Sequence, residues 1–368
     1  MSWPASKLSS VPDTSAETGF PWPPGSATGI GSMPGADPAE AMRVIFGELP
    51  DLPHLAELPG RGVGADLTGR TAALLVDLPV ETTASGWRFA ARPGRDVSRA
   101  RGLLSSDLDA LAETAGDYQG PLKIQVCGPW TLAATIELAR SQDPTLADPG
   151  AVADLTASLA EGVRAHLGEV RKRLPGARVL LQLDEPALPL VLAGGVPTAS
   201  GLNRLPAPDP ADAEAGLRAV IPAPPAVTIV HCCAPGVAFG IIRGAGAGGV
   251  SFDLSLLRRG ESEDLAEAVE AGLAVMAGVV PATPTHSAER AATGPLPGPA
   301  QTARRVVTLW SRMGWPAAPA AGPAGAAAQA VITPACGLAG APPGYAREAL
   351  AHCREAARLL PELIEEAR

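Results

Sequence analysis

The sequence predicts an α/β chain of the (β/α)8 TIM-barrel type, folded as a single domain, and three observations carry that prediction. Short apolar runs suited to buried parallel strands alternate with longer segments of helical spacing along most of the chain. Eight such runs can be counted, the number a closed barrel requires. Seven of the eight end on or beside a polar or thiol residue, and in such barrels the chemistry collects at the C-terminal ends of the strands. A doubly wound open sheet is the alternative arrangement of the same alternation.

In chain order, the expected strands are Thr28 to Ser32, His54 to Glu57, Leu122 to Cys127, Arg178 to Asp184, Ala226 to Cys233, Gly249 to Asp253, Ala274 to Val280 and Ala330 to Thr333. Each is a run of mostly apolar residues, as a strand covered on both faces must be. The expected helices are Asp37 to Glu48, Leu67 to Val76, Trp130 to Arg140, Ala151 to Arg173, Ala211 to Val220, Ser262 to Gly272, Ala300 to Met313 and Gly344 to Glu366. The strand ends then present Ser32, Glu57, Cys127, Asp184, His231 with Cys233, Asp253 and Cys336, and His286 follows the seventh strand closely. Gly and Pro collect in alanine-rich stretches such as "GPLPGPA" and "PAAPAAGPAGAAA", which suit loops rather than domain joints. Residues 1–25 are expected to form a flexible segment, and residues 26–368 one barrel.

Composition narrows the function classes. Of 368 residues, 46% are apolar and 18% charged, enough apolar surface for a large core. A net charge of −9 and the lack of a basic stripe argue against a nucleic-acid or anionic-membrane surface. Neither a signal-peptide apolar region nor a membrane-length apolar run is visible, so a cytoplasmic location is expected. Five cysteines, an odd number spread widely, suit reduced thiols or metal ligands better than a disulfide framework.

The densest chemistry lies in "AVTIVHCCAPGV". In an extended strand, residues two apart share a face, so His231 and Cys233 point together and Cys232 points away. An imidazole and a thiolate are the ligand types zinc prefers, and a tetrahedral site needs one or two more. Cys336 in "VITPACGLAG", at the end of the last strand, and Asp253 in "GGVSFD" are the candidates to complete it. Cys127, Cys232 and Cys353 are most simply small buried hydrophobes. In "LLQLDEPAL", Asp184 and Glu185 point to opposite sides, so one faces the pocket while the other braces a neighbour. "GIGSMPG" offers Ser32 and free backbone N–H groups as a cradle for a carboxylate, or a plain glycine turn with Asp37 as helix cap.

Together, "GIGSMPG", "LQLDEPAL", "HCC", "VSFDLS", "PTHSA" and "TPACGL", in this order, resemble the C-terminal catalytic barrel of cobalamin-independent methionine synthase across roughly residues 28–345. The resemblance implies that His231, Cys233 and Cys336 bind Zn2+. It puts Asp253 where the family carries a glutamate ligand. It implies that Ile30, Gly31 and Ser32 hold the carboxylate of homocysteine, that Asp184 and Glu57 hold its amino group, and that His286 is the proton donor. Zinc would keep the homocysteine thiol deprotonated, and the thiolate would take a methyl group from methyltetrahydrofolate or its polyglutamate, giving methionine.

Departures from the family's pattern concern the donor. The additional N-terminal barrel of the long members is not in this sequence. Thr135 stands where a pterin-stacking tryptophan is expected, with Trp130 earlier, and Leu190 stands where a folate-contacting glutamate is expected. A methyl-corrinoid protein is therefore an alternative donor. Two other functions remain open: a metal-free enzyme resembling uroporphyrinogen decarboxylase, which would use arginines such as Arg61 but leave the cysteines unexplained, and a non-catalytic zinc protein that binds a thiol metabolite and regulates something else.

Overall fold

A computed structural model describes residues 19–224, 226–284, 296–314 and 327–367. Its centre is a six-stranded parallel sheet: β3 (Pro121–Cys127), β5 (Arg178–Asp184), β6 (Thr228–Cys232), β7 (Gly249–Asp253), β8 (Ala274–Val280) and β9 (Ala330–Pro334), paired in that order. Every residue of β3, β6, β8 and β9 is buried, because helices cover one face and the polypeptide fills the other. The chain thus forms an α/β half-barrel of parallel strands, close to the expected class.

The strands expected at 28–32 and 54–57 are not ladder strands. They are extended segments joined to the sheet by isolated parallel bridges, Ala27 to Ile332, Ser32 to Glu57 and His54 to Lys123. Each link is a pair of backbone hydrogen bonds: Thr28 N–H to Ile332 O (3.1 Å) with Ile332 N–H to Ser26 O (3.2 Å), Met33 N–H to Glu57 O (2.8 Å) with Glu57 N–H to Gly31 O (3.1 Å), and Leu55 N–H to Lys123 O (2.9 Å) with Lys123 N–H to Pro53 O (2.9 Å). Glycine at positions 29 and 31 and proline at 34 and 53 weaken strand pairing there. The two segments nonetheless lie between β9 and β3.

The outer layer holds α1 (Pro38–Glu48), α2 (Leu67–Ala72), α3 (Arg95–Ala115), α4 (Pro129–Thr135), α5 (Pro149–Arg173), α6 (Leu188–Leu192), α7 (Pro210–Val220), α8 (Phe239–Gly244), α9 (Glu261–Glu270), α10 (Pro299–Arg312) and α11 (Pro343–Ala367). Asp37 caps α1 by accepting from Ala39 N–H and Glu40 N–H, and Asp148 caps α5 in the same way. The sequence expectation omitted α3, although its buried Val97, Ala100, Leu104, Leu108, Leu111 and Ala115 recur at helical spacing. It also ran the Trp130 helix too far: α4 stops at Thr135, and Ile136–Glu137 (β4) joins a small second sheet with β1 (Val80–Thr82) and β2 (Trp87–Phe89).

Period-two alternation gives the sheet two faces. The outward residues join one large apolar cluster with the helices. On the inner face, Leu180, Ile229, Ala274, Met276 and Val331 form a second cluster around Trp22 and Leu52. Trp22 is fully buried, and its indole N–H donates to Ala328 O at 2.7 Å. The packed chain therefore begins before residue 26, the boundary expected from sequence, because the tryptophan supplies core to the strands' N-terminal ends.

Candidate functional site

Toward the C-terminal ends of the strands the inner face changes from apolar to polar. Along β5 it reads Leu180, Gln182, Asp184, and from β6 onward Ile229, His231, Cys233. Asp184 pairs with His231 in the β5–β6 register, which sets the carboxylate strand end beside the imidazole strand end.

His231, Cys233 and Cys336 converge, with one ligand atom from each lying within 4.8 Å of the others. The two sulfurs are 3.0 Å apart. Contact with the Cys233 thiol, aided by His231, pulls Cys336 down to about 4, while the same contact and burial push Cys233 up. His231 is buried, its Nδ1 is 2.9 Å from Ser251 Oγ, and its Nε2 has no hydrogen-bond partner. A buried, unpartnered imidazole nitrogen is costly unless something else takes its lone pair. A nitrogen and two sulfurs around one point, with the imidazole fixed from behind, fit a borderline-soft cation such as zinc.

Asp253 is not in that cluster. It lies at the same strand end, but its Oδ1 accepts from Ser255 N–H (2.8 Å) and Ser255 Oγ–H (2.7 Å), capping the short turn at 254–256. This local cap is the physical reason the shorter carboxylate stays out of the group. Cys232 faces the other way and is buried, as are Cys127 and Cys353, and burial raises all three thiols. All five cysteines are free.

Of the other expected site residues, Ile30 and Gly31 are buried and Ser32 is partly exposed. Ser32 sits against Gly337, where a Cβ would crowd its hydroxyl, so the turn after Cys336 packs closely on the 30–32 segment. Leu338 N–H donates to Ser32 O at 2.8 Å, a second tie between those regions. Glu57 and Asp184 are both buried, and desolvation raises both carboxyls. Glu185, on the opposite side, accepts from Trp130 N–H, Thr131 N–H and Thr131 Oγ–H and so caps α4. His286 lies outside the described residues.

Several polar residues around the site were not singled out from sequence. Arg70 lies 3.8 Å from Glu57 and also pairs with the buried Asp107, which Arg61 meets at 2.7 Å. Arg61 is thereby part of a structural network. Lys123 and Gln182 are buried on the inner face, and the signal for both was a polar residue at an inward position of an otherwise apolar strand, "PLKIQVC" and "RVLLQLD". Trp130 is buried, with its indole N–H donating to Ala213 O at 2.9 Å. Leu190 is about half exposed at 49%. No described helix is long and apolar enough to cross a membrane.

No protein-family model matches the chain, and no curated protein matches it. Among solved structures it is similar to a B12-independent methionine synthase from Shewanella sp. W3-18-1 in complex with selenomethionine, with a TM-score of 0.56 and 13% identity over 93% of this chain and 99% of that one. At that identity the likeness is one of fold: an α/β chain built like that enzyme.

Proposed function

We propose that the chain is a zinc-dependent S-methyltransferase that moves a methyl group to the thiol of homocysteine, giving methionine, with methyltetrahydrofolate or its polyglutamate as donor. The convergence of His231, Cys233 and Cys336 carries this reading. Supporting it, the structurally similar B12-independent methionine synthase was solved in complex with selenomethionine, the selenoether analogue of methionine. In this reading the six strands and the two bridged segments form one closed (β/α)8 barrel, and the free thiols suit a cytoplasmic enzyme.

Bound by His231, Cys233 and Cys336, zinc would supply a Lewis acid that keeps a substrate thiol deprotonated at neutral pH. Ser251, 2.9 Å from His231 Nδ1, holds the ring in one orientation and leaves Nε2 as the atom that would face the metal. The backbone and hydroxyl of Ile30, Gly31 and Ser32 take the substrate carboxylate. Glu57 and Asp184 take its ammonium group. His286 donates the proton that the leaving nitrogen of a methyl-folate needs. A methyl-corrinoid protein is the second reading for the donor, favoured by Leu190 and Thr135 at positions where folate contacts are expected.

The test is zinc analysis of the purified chain, followed by methionine formation from homocysteine with methyltetrahydrofolate, its polyglutamates and methylcobalamin in turn. Stoichiometric zinc and methionine from a methyl-folate are expected; methionine from methylcobalamin alone would move the donor to the corrinoid class. Absence of zinc, or of product with every donor while zinc is bound, would overturn the assignment.

A further inference from the structure

Lys123 has no role in the chemistry above, yet it is fully buried on the inner face of β3. Its ammonium donates to Ile30 O at 2.8 Å and to Gln182 Oε1 at 2.7 Å. Gln182 Nε2 donates in turn to Ile30 O at 2.9 Å and to Asp184 Oδ1 at 2.6 Å. An ammonium group only donates, so it obliges Gln182 to present its oxygen to Lys123 and therefore its nitrogen to Asp184. The amide orientation, ambiguous in isolation, is set by the neighbour.

Burying an ammonium group costs free energy, and none of the described carboxylates comes within ion-pair distance of this one. An apolar side chain of the same volume would fill the space at lower cost. What the lysine adds is a tie between two separate places: the Ile30 carbonyl, at the head of the Ile30–Ser32 segment, and the Asp184 carboxylate, reached through Gln182.

We propose that Lys123 is a positioning residue that holds the ammonium-binding and carboxylate-binding halves of the pocket in register, making the site selective for a thiol that is also an α-amino acid. Lys123 touches no substrate. It acts by aiming Asp184 through Gln182 and by pinning the carbonyl of Ile30. The inference rests on the reading that this pocket takes homocysteine.

The experiment compares homocysteine with γ-mercaptobutyrate, its analogue without the amino group, by calorimetric titration of the zinc-loaded full chain. In the unaltered protein homocysteine should bind at least ~10-fold more tightly, the worth of a charge-assisted hydrogen bond. In Lys123→Met the preference should fall below ~3-fold, with zinc content unchanged and the affinity for γ-mercaptobutyrate within ~2-fold, since the thiol still has its own partner. Gln182→Met leaves the lysine in place but cuts its path to Asp184; it should lose the preference in the same way and decides the matter if Lys123→Met does not fold. A merely structural role would weaken both ligands together, and that result, or retention of the full preference in either variant, overturns the inference. An unaltered, zinc-loaded protein that binds neither thiol overturns the homocysteine reading itself, a distinguishable failure.

Discussion

The ring orientation of His231 is set by a residue of the neighbouring strand. Ser251, across the β6–β7 pairing, occupies Nδ1 and leaves Nε2 unpartnered toward the two sulfurs. Ser251→Ala should therefore weaken zinc retention about 10- to 100-fold in a chelator competition without unfolding the chain; unchanged affinity would show that the hydroxyl does not orient the ring. Asp253 gives the opposite expectation. Because its carboxylate is engaged with Ser255, Asp253→Ala should leave zinc affinity within about 3-fold by the same competition, and a larger loss would restore it to the ligand set. His166, buried on α5, is lowered to about 4 by burial, with Arg70 and Arg173 adding. Its folded-state value lies below its unfolded one, so the stability it contributes is present above about 6.5 and is lost as pH falls toward 4. Relative to His166→Gln, the native chain should lose up to ~3 kcal/mol across that window in urea unfolding; parallel pH profiles would refute the attribution. Of these residues, the His231 and Cys233 pair was legible from alternate spacing alone. Ser251 was not, because its relevance depends on which residue of another strand lies opposite it.

At the scale of elements, the chain end of β5 divides its labour between adjacent carboxylates. Asp184 faces inward, and Glu185 turns outward to cap α4, where burial lifts it to about 7 against three stabilising hydrogen bonds. Gly128 permits this, since a Cβ there would overlap the Glu185 carboxylate. Removing the cap with Glu185→Ala strands two buried backbone N–H donors and should cost about 3 kcal/mol in chemical denaturation; a loss under about 0.5 kcal/mol would mean that water replaces the carboxylate. The opposite directions of Asp184 and Glu185 were legible from strand geometry. The long helix α3 carries a regular apolar spacing, bounded by Gly94 and Gly116, and was in principle legible as well. The small sheet of β1, β2 and β4 carries no such spacing: these strands have two or three residues each, too few for a period to register.

For the whole molecule, the inner face is graded from an apolar end filled by Trp22 to a polar end carrying His231, Cys233 and Cys336. Trp22 packs against Phe20, with ring centroids 5.5 Å apart, and closes the space the strands leave at their N-terminal ends. Trp22→Ala should destabilise the chain by ~3–5 kcal/mol, seen as a lower Tm with zinc binding retained, because the cavity opens at the end away from the ligands. The sequence by itself determined the alternation of strands and helices, the polar residues at the strand ends, and the shared face of His231 and Cys233, since all three follow from local periodicity. Only the tertiary structure decided that Cys336 joins His231 and Cys233 while Asp253 caps its own turn, that the segments at 28–32 and 54–57 join the sheet by isolated bridges, and that Lys123 and Gln182 tie Ile30 to Asp184. Those outcomes depend on which residues of distant strands come to lie side by side. Register between strands is settled by packing the whole set together and leaves no periodic trace in any one of them.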